Sequence, residues 1–231
     1  MKTIGIIGGI GPESTIDYYK RLLAGARERD PGGPALAIII NSIDLQKGLA
    51  LLGANQLPEL TEYLVPEIRR LANAGADFAF LAANSPHIVF DDVARLSPLP
   101  LISIVEATCA EARKRGLTKL GLLGTRFTMQ GRFYPDVFSR NGVALAVPTA
   151  AEQDFIHDKY LNELIPGQFL PQTRDRLLAV ARRMKQEDGI EALILGGTEL
   201  PLILTDSSLV GIPFLDTTQI HVDAVLERAM A

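Results

Sequence analysis

The chain has 231 residues, 47% hydrophobic and 22% charged, a composition typical of a globular protein with a core of normal size. A net charge of −4 lacks the basic excess of a nucleic-acid-binding surface. One cysteine excludes an intramolecular disulfide, and no apolar run has the ~20 residues that a membrane helix needs. Because the N-terminus also lacks a cleavable signal pattern, we expect a cytoplasmic protein without nucleic-acid or membrane partners.

Eight short runs, apolar at nearly every position, alternate with longer amphipathic stretches. Such runs are typical of parallel strands covered on both faces, and the alternation predicts an α/β fold. The predicted strands are 3–8, 35–41, 77–83, 100–105, 119–124, 143–148, 191–197 and 212–216. The first predicted helix, PESTIDYYKRLLAGARER, is expected to pack through Ile16, Tyr19, Leu22 and Leu23.

The second half of the chain loosely repeats the first. Residues 2–12 resemble 118–128, residues 75–87 resemble 189–201, and residues 98–108 resemble 209–219. We therefore predict two similar lobes, each a four-stranded, mainly parallel sheet flanked by helices, related by a pseudo-twofold axis. Lobe one is assigned to 1–105 plus a returning helix at 217–231, and lobe two to 106–216. Since ligands of such folds lie beyond the carboxyl ends of the strands, the expected site is the interlobe cleft.

The first strand runs into GGIGPEST, where Gly9 and Gly11 permit a close turn and Pro12 suits the start of a helix. Three interpretations are open: a plain tight turn, a turn whose amides bind a substrate carboxylate, and a dinucleotide loop. The spacing matches neither the dinucleotide fingerprint nor a Walker loop, which counts against the third.

The third strand ends in AANSPH, which places three polar side chains at the same edge of the predicted sheet. Asn84 and Ser85 can cap the following helix or hold a ligand. His87 can act as a proton shuttle or serve a structural role.

The fifth and seventh strands end in GTRFT and GGTE. Thr125, Arg126 and Thr128 suit a carboxylate, although Arg126 fits a solvated surface equally well. Thr198 can cap a helix or bind a ligand, and Glu199 can act as an acid–base group or complement a helix dipole.

The other reactive side chains have simpler interpretations. Cys109 lies in a helical stretch and is expected to pack in the core. His157 and Lys159 are expected on a solvated helix face, and His221 is expected to be structural. Three histidines this far apart do not indicate a metal site.

Across nearly its whole length the chain resembles the aspartate/glutamate racemase superfamily, most closely its aspartate racemase branch. The resemblance rests on IGIIGGIGPEST, NSID, ANSPHIVFD, LLGTRFTM, ELIPGQF, GGTELPL and FLDTTQIH. It implies two α/β lobes with a small amino or dicarboxylic acid between them, often as a homodimer, and isomerase chemistry without pyridoxal phosphate or any other cofactor. In that chemistry one cysteine removes the Cα proton and a second cysteine delivers one to the opposite face.

In this sequence the two family cysteines fall at Ala83 and Gly197, which cannot transfer protons. The remaining acid–base candidates are Ser85, His87 and Glu199, and the predicted substrate-binding residues are Gly9, Gly11, Asn84, Ser85, Thr125, Thr198 and Glu199. The leading hypothesis is a racemase-family protein that binds a small acid but has lost the two-cysteine chemistry. The alternatives are a non-catalytic binding or regulatory protein on this scaffold, and a lyase or isomerase with another acid–base group.

Overall fold

The computed structural model describes all 231 residues, which form two compact units. Residues 1–104 and 221–231 form the first unit, and residues 105–220 form the second. No helix in the chain combines the length and the apolar character needed to span a membrane.

The first unit is built on a four-stranded parallel sheet with the order β2-β1-β3-β4. Its strands are β1 (Ile4–Gly8), β2 (Ile38–Ser42), β3 (Phe78–Leu81) and β4 (Leu101–Ile102). Its helices are α1 (Pro12–Arg29), α2 (Leu45–Gly53), α3 (Leu57–Asn73), a 3₁₀ turn (Ser85–Val89) and α4 (Phe90–Leu96). The helix α5 (Ile104–Lys114) begins at the end of this unit.

The second unit has the same strand order, β6-β5-β7-β8, and every pairing is again parallel. Its strands are β5 (Lys119–Gly124), β6 (Ala144–Ala146), β7 (Ala192–Gly196) and β8 (Phe214–Asp216). Its helices are α6 (Arg126–Gln130), α7 (Phe133–Arg140), α8 (Ala150–Lys159), α9 (Pro171–Arg183) and α10 (Leu200–Ile203), with a 3₁₀ turn at Ser207–Leu209. The last helix, α11 (Thr217–Met230), continues into the first unit from His221.

Each observed strand overlaps one predicted run, so the predicted α/β class and the repeated four-stranded sheet are confirmed. The central strands are buried because helices cover both faces of each sheet, as near-continuous apolar runs indicate, whereas the edge strands β2, β4, β6 and β8 are partly exposed. In β1, β3 and β7 every residue is buried.

The predicted packing face of α1 is wrong at Ile16 and Tyr19, although Leu22 is buried as expected. The helix buries Ser14, Tyr18, Leu22 and Gly25, whereas Ile16 and Tyr19 are 48% and 43% exposed. The small residues at both ends of the buried stripe let the helix approach the core closely. Counting apolar residues misplaced the stripe because its members include a serine and a glycine.

Helix α8 continues without a break into a π-helical turn at Tyr160–Leu164. The N–H of Ile165 donates to the carbonyl oxygen of Tyr160 at 3.0 Å, a bond that spans five residues instead of four. π turns of this kind are rare and are frequent at functional sites. The start of α8 is fixed by a capping box between Thr149 and Glu152.

Candidate functional site at the strand ends

Two predicted turns of the first unit lie at the same edge of its sheet. Strands β1 and β3 are neighbours, with Ile7 paired to Leu81, and both run in the same direction. The turns that follow them, at Gly9 and at Ala83, therefore emerge side by side at the carboxyl edge, where ligands of parallel sheets bind.

The turn after β1 needs glycine at two positions. Gly9 and Gly11 have φ values of 79° and 104°, which residues with a Cβ rarely adopt. A Cβ on Gly9 would also lie 2.5 Å from the carbonyl oxygen of Ile43. The N–H of Gly9 donates to Oγ1 of Thr15 at 2.9 Å, so this amide is already used inside the turn. At Gly9 the geometry favours the plain tight turn over an amide presented to a substrate.

His87 holds the turn after β3 against the end of β4. Its Nε2 accepts from the N–H of Ile104 at 3.2 Å, so the proton must be on Nδ1, which donates to the carbonyl oxygen of Ala83 at 2.9 Å. Burial lowers the pKa of His87 to about 4, which keeps the ring neutral at pH 7. Because both ring nitrogens bind the backbone, the geometry supports a structural role for His87 instead of a proton shuttle.

Asn84 and Ser85 lie beside this histidine. Asn84 precedes the 3₁₀ turn but its side chain makes no capping hydrogen bond, so the capping interpretation is wrong for this residue. Asn84 is buried at the sheet edge and Ser85 is half-buried, and ligand binding stays a prediction for both side chains.

His221 has the structural surroundings that the sequence predicts. Its Nδ1 pairs with the hydroxyl of Tyr18 at 2.9 Å, and its Nε2 pairs with the carbonyl oxygen of Ile102 at 3.1 Å. Burial, aided by the neighbouring ring of His87, lowers the pKa of His221 to about 3. The ring therefore stays neutral and cross-links α11 to α1 and β4.

In the second unit, the ends of β5 and β7 pack without side chains between them. Gly124 pairs with Gly196, and a Cβ on Gly124 would lie 2.5 Å from the carbonyl oxygen of Gly196. The following residues, Thr125 and Gly197, therefore leave two adjacent strands at the same edge.

Thr125 and Arg126 make local contacts. Oγ1 of Thr125 accepts from the N–H of Thr128 at 3.4 Å and caps α6. The guanidinium of Arg126 pairs with Asp154 at 2.8 Å on the surface, and its backbone N–H donates to Nδ1 of His157 at 3.2 Å. This geometry favours the solvated interpretation of Arg126.

The turn after β7 carries a buried cluster of hydrogen-bonded polar side chains. Tyr160 and Glu199 are only 3% and 2% exposed, and the Tyr160 hydroxyl donates to Oε2 of Glu199 in a short hydrogen bond. Oγ1 of Thr198 donates to the same oxygen at 3.1 Å, and the N–H of Glu199 donates to the Tyr160 oxygen at 3.3 Å. Burial and the adjacent carboxylate raise the pKa of Tyr160 well above 10. The phenol is therefore protonated and donates to an oxygen of Glu199.

Tyr160 fills the space into which a side chain at position 197 would extend. A Cβ on Gly197 would lie 2.6 Å from Cε2 and 2.7 Å from Cζ of Tyr160, and closer still to its hydroxyl. The tyrosine is fixed there because the π turn directs it and Glu199 binds its hydroxyl. Sequence reasoning missed Tyr160, whose only signal was its place shortly before the ELIPGQF motif.

The other reactive side chains are engaged away from these turns. Lys159 pairs with Glu163 at 2.7 Å. Cys109, as expected, is buried on α5, and burial raises the pKa of its thiol. No group of three or more His, Cys, Asp and Glu side chains is arranged to hold a metal ion.

Comparison with known proteins identifies the scaffold. The family model of Asp/Glu/hydantoin racemases matches residues 7–225. The chain belongs to this family. A crystal structure of an aspartate racemase homologue from Pyrococcus horikoshii is 34% identical to this family member over the full length of both chains, with a TM-score of 0.85.

Two further relatives support the assignment of this chain to the Asp/Glu/hydantoin racemase family. A Yersinia pestis structure provisionally described as an Asp/Glu racemase is 29% identical over the full length of both chains, with a TM-score of 0.90. The broad-specificity amino-acid racemase RacX of Bacillus subtilis is 25% identical over 228 residues, which cover 93% of this chain and 92% of RacX.

Proposed function

We propose that this racemase-family chain binds a small amino acid or dicarboxylic acid at the carboxyl ends of its strands and does not racemise it by two-thiol chemistry. The observation that carries the proposal is the occupied space at Gly197. Where the resemblance places a cysteine, this chain has no side chain, and the Tyr160 ring fills the room beside it.

The groups proposed to bind the acid are polar and lie at the strand ends. Asn84 and Ser85 follow β3, and Thr125 and Thr198 follow β5 and β7. In this proposal Glu199 is the partner of a ligand ammonium group. Gly9 and Gly11 shape the neighbouring turn. By the same resemblance we propose a homodimer that needs no cofactor.

Ligand-induced stabilisation tests the proposal. The protein is heated with L- or D-aspartate and L- or D-glutamate, and the probe is afterwards recovered and quantified. We expect at least one of the four probes to raise the Tm as its concentration increases. If none stabilises the protein or binds in calorimetry, the proposed function is wrong.

The hydroxyl of Thr198 provides a test of whether the ligand binds at the turn after β7. Thr198→Val removes one hydrogen-bond donor or acceptor at nearly constant volume and is expected to weaken binding about 10-fold or more. Thr61→Val is the matched control, because Thr61 is also a buried threonine, but its hydroxyl bonds only Leu57 within α3. Equal affinities of the two variants would argue against a ligand at the β7 turn.

A further inference from the structure

The buried pair of Tyr160 and Glu199 is more than a filler of the space beside Gly197. A phenol and a carboxylate joined by a hydrogen bond can pass a proton between them, which an inert core side chain cannot do. The pair lies at the carboxyl end of β7, the edge at which ligands of parallel α/β sheets bind. It therefore brings proton-transfer groups to the position where the resemblance calls for a thiol.

We propose that Tyr160 and Glu199 form a proton-transfer pair that exchanges the Cα proton of the bound acid from one face only. The inference rests on the proposed function, in which the ligand binds at the turn after β7. It adds catalytic residues, a reaction and a stereochemical outcome to that binding site.

The step balances without a cofactor. The Cα–H bond breaks, and its electron pair delocalises into the adjoining carboxylate of the ligand. The proton passes to the Tyr160 oxygen while the phenolic proton moves to Oε2 of Glu199. The tyrosine is therefore neutral before and after the step, in agreement with a pKa raised well above 10 by burial. The reverse transfer delivers a proton, or a deuteron from solvent, to the same face.

The outcome is exchange without inversion because the turn after β3, where the resemblance places the first thiol, has no activated proton donor. Its one hydroxyl, on Ser85, is a weak acid that needs a neighbouring base to exchange protons. Ala83 has a methyl side chain at the first family position. His87, its nearest titratable neighbour in the turn, uses both ring nitrogens for the backbone of Ala83 and Ile104. A ligand deprotonated at the Tyr160 side is therefore reprotonated from that side.

Proton NMR in deuterium oxide tests the inference. Each enantiomer of aspartate and glutamate is incubated separately with the full chain, and chiral chromatography follows its configuration. We expect the Cα–H signal of at least one enantiomer to disappear faster than in buffer alone, with its configuration retained. Exchange accompanied by inversion would overturn the single-face assignment.

Binding data separate the two possible failures. A probe that stabilises the protein while none of the four exchanges its Cα proton overturns the inference and leaves the proposed function standing. If no probe binds, the proposed function fails and the proton-transfer pair fails with it.

Four variants assign the activity to the pair. Tyr160→Phe and Glu199→Gln are each expected to lower the exchange rate by about 10²–10⁴-fold. Tyr160→Phe, which removes no group proposed to bind the ligand, should still let the probe shift the Tm. The matched controls are Tyr134→Phe and Glu67→Gln, which alter a buried tyrosine and a buried glutamate away from the pair and should leave the rate unchanged. Because Glu199→Gln is nearly isosteric, it keeps the test valid if Tyr160→Phe does not fold. Unchanged exchange in both pair variants would refute the inference.

Discussion

Gly197→Ala is expected to destabilise the protein, although a glycine-to-alanine change at a compatible site usually stabilises. The backbone at Gly197 is not in the left-handed region, so the added methyl group has no conformational penalty. The cost comes from Tyr160, whose Cε2 and Cζ would lie 2.6 and 2.7 Å from the new Cβ. Overpacking of this kind costs about 1–3 kcal/mol, and displacing the phenol from Glu199 adds about 1–3 kcal/mol for an unsatisfied buried group.

Urea unfolding measures this cost, and Gly48→Ala provides the control. Gly48 lies inside α2, and a Cβ there would have no neighbour within 4 Å, so its replacement is expected to be neutral or stabilising by up to about 1 kcal/mol. In a Tyr160→Leu background both costs of Gly197→Ala should largely disappear, giving a coupling energy of about 2–6 kcal/mol, the sum of the two. If Gly197→Ala is as mild as Gly48→Ala, or if its cost persists when the tyrosine ring has been removed, the steric reasoning is refuted.

The same contact governs any attempt to restore thiol chemistry. Gly197→Cys introduces the same Cβ and a larger atom beyond it, so it meets Tyr160 before it meets a ligand. Cysteines at 83 and 197 alone are therefore expected to yield a destabilised protein. Tyr160 must also be replaced by a smaller side chain before an aspartate racemisation assay can test the two restored cysteines.

Three further predictions concern other parts of the structure. Acidification from pH 7 to 5 should lower the free energy of unfolding by about 2 kcal/mol for His87 and about as much for His221, because both folded-state pKa values lie below the unfolded value of 6.5 and the unfolded chain therefore binds protons first. In urea titrations the variant His87→Gln, which has no titrating group at this position, should show a shallower dependence of unfolding free energy on pH. An unchanged dependence would contradict the assigned burial of His87. Thr149→Ala should cost about 1 kcal/mol by removing the cap of α8, measured by urea unfolding against Ser139→Ala at an exposed serine inside α7, and an equal effect of both would argue against the capping box. Cys109 should react with a thiol reagent only on unfolding, since it is buried and its thiol pKa is raised, and rapid labelling of the native protein would contradict its position.

The sheets could be predicted from the sequence because their signal is local. Runs such as 119–124 and 191–197 are apolar at nearly every position, and the glycines at their ends mark the strand ends. The internal similarity between the two halves then predicted that both sheets share one strand order. The packing of α1 was not predictable in this way, since its buried stripe depends on where Ser14 and Gly25 let the helix approach the core.

The candidate site was predicted only where its residues follow strands. Thr198 and Glu199 were found because they come directly after β7. Tyr160 lies on a helical segment 39 residues before Glu199 in the sequence. It reaches the turn after β7 through a π turn, which the pattern of apolar residues in the sequence does not indicate. His87 was found as a candidate, but its role follows from two backbone partners that the sequence alone does not reveal.

The π turn at Tyr160–Leu164 has a consequence for how such a scaffold changes its chemistry. Each residue of an α-helix advances the direction of the side chains by about 100°, so removing one residue from a wide turn rotates everything on one side of the deletion relative to the other. Deletion of one residue from the π turn would rotate the Tyr160 side chain away from Gly197 and leave the space beside it open. A change in the length of this one helix, without any substitution at the strand ends, can therefore fill the space beside position 197 with a tyrosine or leave it open for a larger side chain.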